Sequence, residues 1–270
     1  MRSHRFVPPA ASQAIKVRLY VDQDLRTDAD VGASERQAHY LARVMRLAAG
    51  NFVKLFNGRD GEWQGQIEAM VSARCRLRCM EQLRAQTREP GPTLAFAPIK
   101  KDALDFLVEK ATELGARGLV PVMTRFTAVE RFHAERVRAH VIEAAEQCGR
   151  LTVPQVLDFQ ELGTFTAAWP VDRPLLLMDE RGRGRPIIET ALAWREGNAT
   201  GDAPAPGLLI GPEGGFSDDE VEALSTLPSL VRVSLGPRVL RSETAAIAAL
   251  ACWQALAGDW RPIEPPSQET

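Results

Sequence analysis

Two adjacent stretches decide the fold: residues 207–225, GLLIGPEGGFSDDEVEALS, and residues 230–250, LVRVSLGPRVLRSETAAIAAL. In each, an apolar run of strand length ends at a glycine-proline turn and gives way to a helical pattern. Leu208-Leu209-Ile210 is apolar without alternation, as expected of a parallel strand covered on both faces. Ser217 is placed to cap the next helix, and Glu220 three residues on completes a capping box. The same rhythm extends upstream. LAFAPI precedes the helix KDALDFLVEKATEL, stopped by Gly115, and GLVPVM precedes HAERVRAHVIEAAEQC, stopped by Gly149. PLLLM precedes a helix near PIIETALAW, and the last helix runs through TAAIAALACWQALA. Alternating strands and helices predict a parallel sheet with helices on both faces.

The rhythm changes before residue 93. LRAQTREPGPT is polar and carries Pro90-Gly91-Pro92, which marks a boundary. Ahead of it, VRLYV, NFVKLFNGRDGEWQGQIEAMV and ARCRLRCME are short runs broken by turn residues such as Asn57-Gly58 and Asp60-Gly61. They predict a small antiparallel β unit closed as a barrel. Its one helix is SERQAHYLARVMRL, with Ser34 as cap and Leu41, Val44, Met45 and Ala48 as its apolar face. The expected divisions are an extension at 1–14, the barrel at 15–84, a linker at 85–92, the α/β domain at 93–263 and a tail at 264–270.

Hydrophobic residues at 45% and charged residues at 25% of 270 describe a folded globular chain. The net charge is −2, yet residues 1–84 carry +5 and the remainder −7. A basic first domain fits RNA and fits an ordinary solvated surface about equally. No apolar run reaches the ~18 residues of a membrane span and the N-terminus does not resemble a signal sequence, so a cytoplasmic location is expected. Cys75, Cys79, Cys148 and Cys252 are too few and scattered for a disulfide framework, and no histidine joins them in a zinc pattern. No metal is expected.

The two glycine-proline loops carry the chemistry. Gly211-Pro212-Glu213-Gly214-Gly215 follows a strand directly, where α/β sheets bind ligands, although a tight turn alone would also explain it. Its spacing is neither G-x-G-x-x-G nor a P-loop. Glu213 would repel a phosphate, whereas beside a sulfonium cofactor it costs nothing. In the second loop, Glu243 and Thr244 serve either as caps and dipole partners or in chemistry. A cation gains nothing from the positive end of a helix, so Arg241 calls for an anion or a ligand to hold it.

These loops, together with EKATELG at 109–115 and EAAEQCGR at 143–150, resemble the SPOUT class of trefoil-knotted methyltransferases, and within it the RsmE family. VRLYVDQDL, HYLARVMRLAAGN and LFNG are similar to that family's PUA-like barrel, so the resemblance runs from about Val17 to the final helix. Cys148 stands where the family usually has serine, and the chain reads Lys100-Lys101-Asp102-Ala103 where the family has lysine-glycine-aspartate and a basic residue. The resemblance implies an α/β SPOUT domain, knotted at its C-terminus and preceded by the barrel, which transfers a methyl group from S-adenosylmethionine to N3 of one uridine in 16S ribosomal RNA of the small subunit. It implies a homodimer, with the cofactor held by Met178, Gly211, Pro212, Glu213, Gly214, Gly215, Leu235, Gly236, Leu240, Arg241 and Thr244. A final helix with Ala245, Ala246, Ala248, Ala249 and Ala251 around Ile247 and Leu250 is compatible with a dimer, because it needs cover on every side.

Uracil N3 carries a proton at neutral pH that must leave as the nitrogen aligns with the methyl group. Arg241 is the expected stabiliser of negative charge on a uracil oxygen, and Glu243 the candidate base or orienting partner. For RNA the expected contacts are Arg18, Arg43 and Arg46 in the barrel and Arg125, Gln147 and Arg150 in the second domain, each of which also suits a merely soluble surface. Three alternatives stay open: a related enzyme acting on a ribose 2′-oxygen or another RNA, an RNA-binding module without catalysis, and a dinucleotide-dependent oxidoreductase that lacks its fingerprint glycines.

Overall fold

The computed structural model describes residues 15–71, 74–129, 131–198 and 203–260; the expected extension at 1–14 and tail at 264–270 lie outside them. Up to Thr87 the described chain forms one compact unit, and from Arg88 it forms a second.

The first unit contains β1 (Arg18–Tyr20), β2 (Asp30–Ala33), α1 (Glu35–His39), β3 (Phe52–Phe56), β4 (Glu62–Val71) and β5 (Arg74–Arg84). The strands lie in the order β1-β3-β4-β5-β2. All neighbours are antiparallel except β1 and β3, which run parallel. Alternation sends Val53, Leu55, Ile67, Leu77, Cys75 and Cys79 into one core with Leu19 and Val31. Burial raises both thiols above the usual cysteine range, as befits packing residues.

Ser34 caps this helix as expected, and Gln37 completes a capping box with both reciprocal bonds present. The helix is shorter than its pattern predicted. After five α-helical residues the chain widens into a π turn at Tyr40–Val44, closed by Met45 N–H donating to the Tyr40 carbonyl at 3.0 Å. One extra residue in a turn rotates the succeeding residues by ~100°. Leu41 therefore stays buried while Val44 is 61% exposed, and the predicted apolar face breaks there.

The second unit begins with β6 (Thr93–Phe96), α2 (Lys101–Glu113), β7 (Gly118–Met123), α3 (Ala134–Cys148), β8 (Gln155–Val156), β9 (Gln160–Glu161) and α4 (Leu162–Ala168). It continues with β10 (Leu175–Met178), β11 (Arg185–Pro186), α5 (Ile187–Gly197), β12 (Gly207–Ile210), α6 (Asp218–Ser225), β13 (Leu230–Ser234) and α7 (Ser242–Leu256). The sheet order is β11-β13-β10-β12-β6-β7-β8, and every pair is parallel. β12 inserts between β10 and β6, two strands already laid down by the chain. All four residues of β6, β10 and β12 are buried, as the unbroken apolar runs predicted.

Helix α7 then returns against α2, α5 and β12. Ala246, Ala249, Leu250 and Trp253 enter the main core, where Trp253 meets Trp194 edge to face at 4.8 Å between centroids. Gln254, 1% exposed, donates to the Leu114 carbonyl at 2.8 Å and ties α7 to the end of α2.

Candidate functional site

The segments that leave β7, β10, β12 and β13 emerge at the carboxyl ends of parallel strands, the edge where open α/β sheets place ligands. They are joined to one another. From β10, Asp179 is almost fully buried and accepts from Arg232 of β13 at 2.6 and 3.0 Å. Arg181 donates to the Phe216 carbonyl at 2.9 Å and to Asp218 Oδ1 at 2.7 Å, fastening this segment to the loop after β12. From β7, the Arg125 N–H donates at 2.7 Å to Oε1 of Glu220, whose Oε2 caps the Ser217 N–H at 2.9 Å. From the last loop, the Ser242 hydroxyl donates to the Gly211 carbonyl at 2.9 Å.

The first loop is packed from below. Phe216 is 3% exposed, and its ring lies where a Cβ on Gly211 would come within 2.8 Å. Gly215 adopts φ +70°, and a Cβ there would meet Glu180 Oε1 at 2.4 Å. The left-handed backbone is what favours glycine there, since the carboxylate end of Glu180 can swing aside. Pro212 is buried, whereas Glu213 and Gly214 face outward, and Phe126 from the β7 segment covers Gly214. Met178 is 6% exposed and ends β10 beside this loop's base.

The second loop is open. Leu235 and Leu240 are half-buried, while Gly236, Arg238, Arg241 and Thr244 are exposed and Val239 is 79% exposed. Arg241 is the N-cap residue of α7, and its guanidinium has no hydrogen bond or ion pair among the described residues. Glu243 sits half-buried in the first turn, favourable for the helix dipole, and forms no ion pair with Arg241.

The expected RNA contacts separate into two groups. Arg43, Arg46, Arg125 and Gln147 are exposed. Arg18 is not available in that way: its side chain is 8% exposed, donates to Glu62 Oε1 at 2.7 Å and stacks on Phe56 at 3.4 Å. Arg150 is likewise internal, donating to Glu89 at 3.0 Å and to the Thr112 and Ala116 carbonyls at 2.7 and 2.9 Å. A guanidinium already satisfied by a carboxylate and carbonyls gains little from a phosphate, so these two hold the scaffold. Burial pushes Glu89 up, but the Thr152 hydroxyl, the Leu151 N–H and Arg150 together hold it below the usual carboxylate range. Burial pushes Glu62 up, and bonds from Arg84 and Arg18 likewise outweigh it.

Sequence reading passed over Asp179, Glu180, Arg181 and Ser242. Only Arg181 carries a local signal, as the head of the run Arg181-Gly182-Arg183-Gly184-Arg185; the others acquire meaning from partners far along the chain. Among the described residues no group of three His, Cys, Asp or Glu is placed to hold a metal ion, and no helix is long and apolar enough to cross a membrane.

The strand-inserted parallel sheet brings two glycine loops together through Ser242 and Gly211 and leaves Arg241 unpaired among the described residues, and comparison with known proteins identifies the class as RNA methyltransferase. Residues 88–254 match the profile of the RNA methyltransferase domain, and residues 34–73 that of the RNA methyltransferase PUA domain. The ribosomal RNA small subunit methyltransferase E of Rickettsia conorii is 32% identical over 237 residues, covering 87% of this chain and 93% of the relative. That of Synechocystis is 31% identical over 250 residues, covering 92% and 80%. The crystal structure of the Neisseria gonorrhoeae enzyme of that name, bound to S-adenosyl methionine, superposes with a TM-score of 0.79 at 26% identity, over 91% of this chain and 99% of that one. A putative methyltransferase from Legionella pneumophila, in complex with the same cofactor, gives 0.77 at 29% identity, over 90% and 98%. This chain belongs to the ribosomal RNA small subunit methyltransferase E family, with the knotted SPOUT fold and a PUA-like first domain.

Proposed function

We propose that the enzyme methylates N3 of one uridine in 16S ribosomal RNA of the small subunit, using S-adenosylmethionine, as a cytoplasmic homodimer. The observation that carries this reading is Arg241, an exposed cation at the positive end of α7 with no partner among the described residues, joined through Ser242 to the glycine loop after β12. An arginine so placed is available to an anion that develops during reaction.

The residues present fit the cofactor. Gly236 turns with φ +106° and leaves open space where a side chain would stand, so a ligand has access to the backbone of the second loop. Glu213 is exposed and has no basic partner among the described residues, which suits a cationic ligand. Met178, Gly211, Pro212, Glu213, Gly214 and Gly215, with Leu235, Gly236, Leu240, Arg241 and Thr244, would hold it. S-adenosylmethionine supplies a methyl group on a positively charged sulfur.

The remaining work falls to the chain. Arg241 stabilises negative charge on a uracil oxygen as the N3 proton leaves. Glu243, which does not pair with Arg241, is proposed to accept that proton rather than to orient the arginine. Holding base and donor in line contributes several kcal/mol, up to ~7–11 in favourable cases. Arg43, Arg46, Arg125 and Gln147 are the proposed RNA contacts. For the dimer, Ile247, Ala248 and Ala251 form a half-buried face of α7 left after the core has taken Ala246, Ala249, Leu250 and Trp253.

Incubating the purified protein with labelled S-adenosylmethionine and 16S RNA or small subunits, then identifying the labelled nucleoside, tests the reading. 3-Methyluridine is expected; a 2′-O-methylated nucleoside would overturn the choice of acceptor.

A further inference from the structure

The segment after β10, Arg181-Gly182-Arg183-Gly184-Arg185, has a fixed shape. A Cβ on Gly184 would lie 2.5 Å from the Val233 backbone, so the segment runs hard against β13. It enters the edge strand β11 with Arg185 opposite Val233 and Pro186 opposite Ser234. Arg185 is therefore seated at the sheet edge, immediately before β13 passes into the loop that bears Arg238 and Arg241.

Charge on these two segments is unbalanced in a specific way. Their nearby carboxylates are spent: Asp179 holds Arg232 at 2.6 Å and Asp218 holds Arg181 at 2.7 Å. Arg183, Arg185, Arg238 and Arg241 are all exposed and have no hydrogen bond or ion pair among the described residues. Glu180 Oε1 lies 4.0 Å from Arg181 Nε, on the side that faces Gly215. Like charges gathered on a built edge repel, and a polyanion relieves that repulsion while releasing its counterions. Pro186 has no N–H to offer, so this edge is poorly suited to pairing with another strand. What it presents outward is guanidinium, whose planar fork matches phosphate oxygens.

We propose that Arg183 and Arg185, with Arg238, form a phosphate-binding edge that seats the substrate RNA backbone beside Arg241. The proposal deepens the methyltransferase reading and rests on it.

The test compares the full-length Arg183→Ala/Arg185→Ala variant with wild type, using a 16S RNA transcript as probe. RNA binding is measured across a potassium chloride series, S-adenosylmethionine binding by calorimetry, and label transfer separately. At near-physiological salt, RNA affinity is expected to fall about tenfold or more, and the slope of log affinity against log salt to become shallower by about 1–2. S-adenosylmethionine affinity is expected to be unchanged. The Arg183→Lys/Arg185→Lys pair, which keeps the charge, should retain most of the RNA affinity, separating loss of charge from loss of fold. RNA affinity and salt slope within twofold of wild type would overturn the proposal. So would a variant that sediments as a smaller species while binding RNA normally, because the edge would then serve a protein interface. An enzyme that binds RNA through this edge but transfers no label would overturn only the parent reading.

Discussion

The two glycine-proline loops look alike in sequence and differ in how they are held. The loop after β12 rests on Phe216, meets Glu180 at Gly215 and is clipped by Arg181, whereas the loop after β13 leaves Arg238, Val239 and Arg241 in the open. The first is a finished wall whose shape depends on internal packing. The second spends little on the fold and keeps its polar groups for what it meets. Damage to the first should register in stability and ligand binding together; damage to the second should register in ligand binding and turnover, with stability unchanged.

The largest expected effect comes from that contrast. Arg241→Ala should lower single-turnover methyl transfer about 10²–10³-fold, the range for losing one donor to a developing anion, with melting temperature unchanged. Near-normal turnover would sink the assignment. Next, Gly215→Ala forces a left-handed residue and displaces the end of Glu180, and should cost about 1–2 kcal/mol in chemical denaturation, accompanied by weaker cofactor binding in calorimetry. Loss of stability without loss of binding would separate the wall from the site. Ser242→Ala removes the hydroxyl bond between the loops and should cost about 1 kcal/mol, measured by urea unfolding. At the other end of the scale, Val239→Ser should change stability by no more than about 0.5 kcal/mol, because a residue 79% exposed loses almost no packing. A larger shift in the isolated protein would mean that the second loop is less open than it looks.

A pH experiment distinguishes both loops from the scaffold beneath them. Glu89 is held below the usual carboxylate range in the folded state by Thr152, Leu151 and Arg150. Its contribution to stability is therefore fully present above the unfolded-state value near ~4.3 and is lost as pH falls through the lower folded value. Glu89→Gln should flatten the acid limb of the stability curve monitored by circular dichroism while leaving the limb above neutrality unchanged.

Much of the architecture was legible because it rests on local patterns. The capping box at Ser217 and Glu220, the helix stops at Gly115 and Gly149, and the buried runs of β10 and β12 each need only neighbouring residues to be understood. The π turn after His39 was not legible, since its residues carry an ordinary helical pattern and only packing selects the wider turn. Nor were the two-residue strands β8, β9 and β11, which exist because another backbone lies alongside. In the site, GPEGG and Arg241 announced themselves by composition and position. Arg18 and Arg150 could not be told from surface arginines until Glu62 and Glu89 were seen beside them, 44 and 61 residues away.

The glycine-proline loop after β12 thus has two kinds of determinant. Its existence, its place at a strand end and the helix beyond it were set by the sequence alone, through burial periodicity and capping, which act over a few residues. Tertiary structure alone decided that β12 would insert between β10 and β6 and that Ser242 would reach back to Gly211. It also decided that Arg181 and Asp179 would each find partners while, among the described residues, Arg183, Arg185, Arg238 and Arg241 would not. Those outcomes depend on which distant segments the chain brings to one sheet edge, and electrostatic pairing is settled only when those distances are.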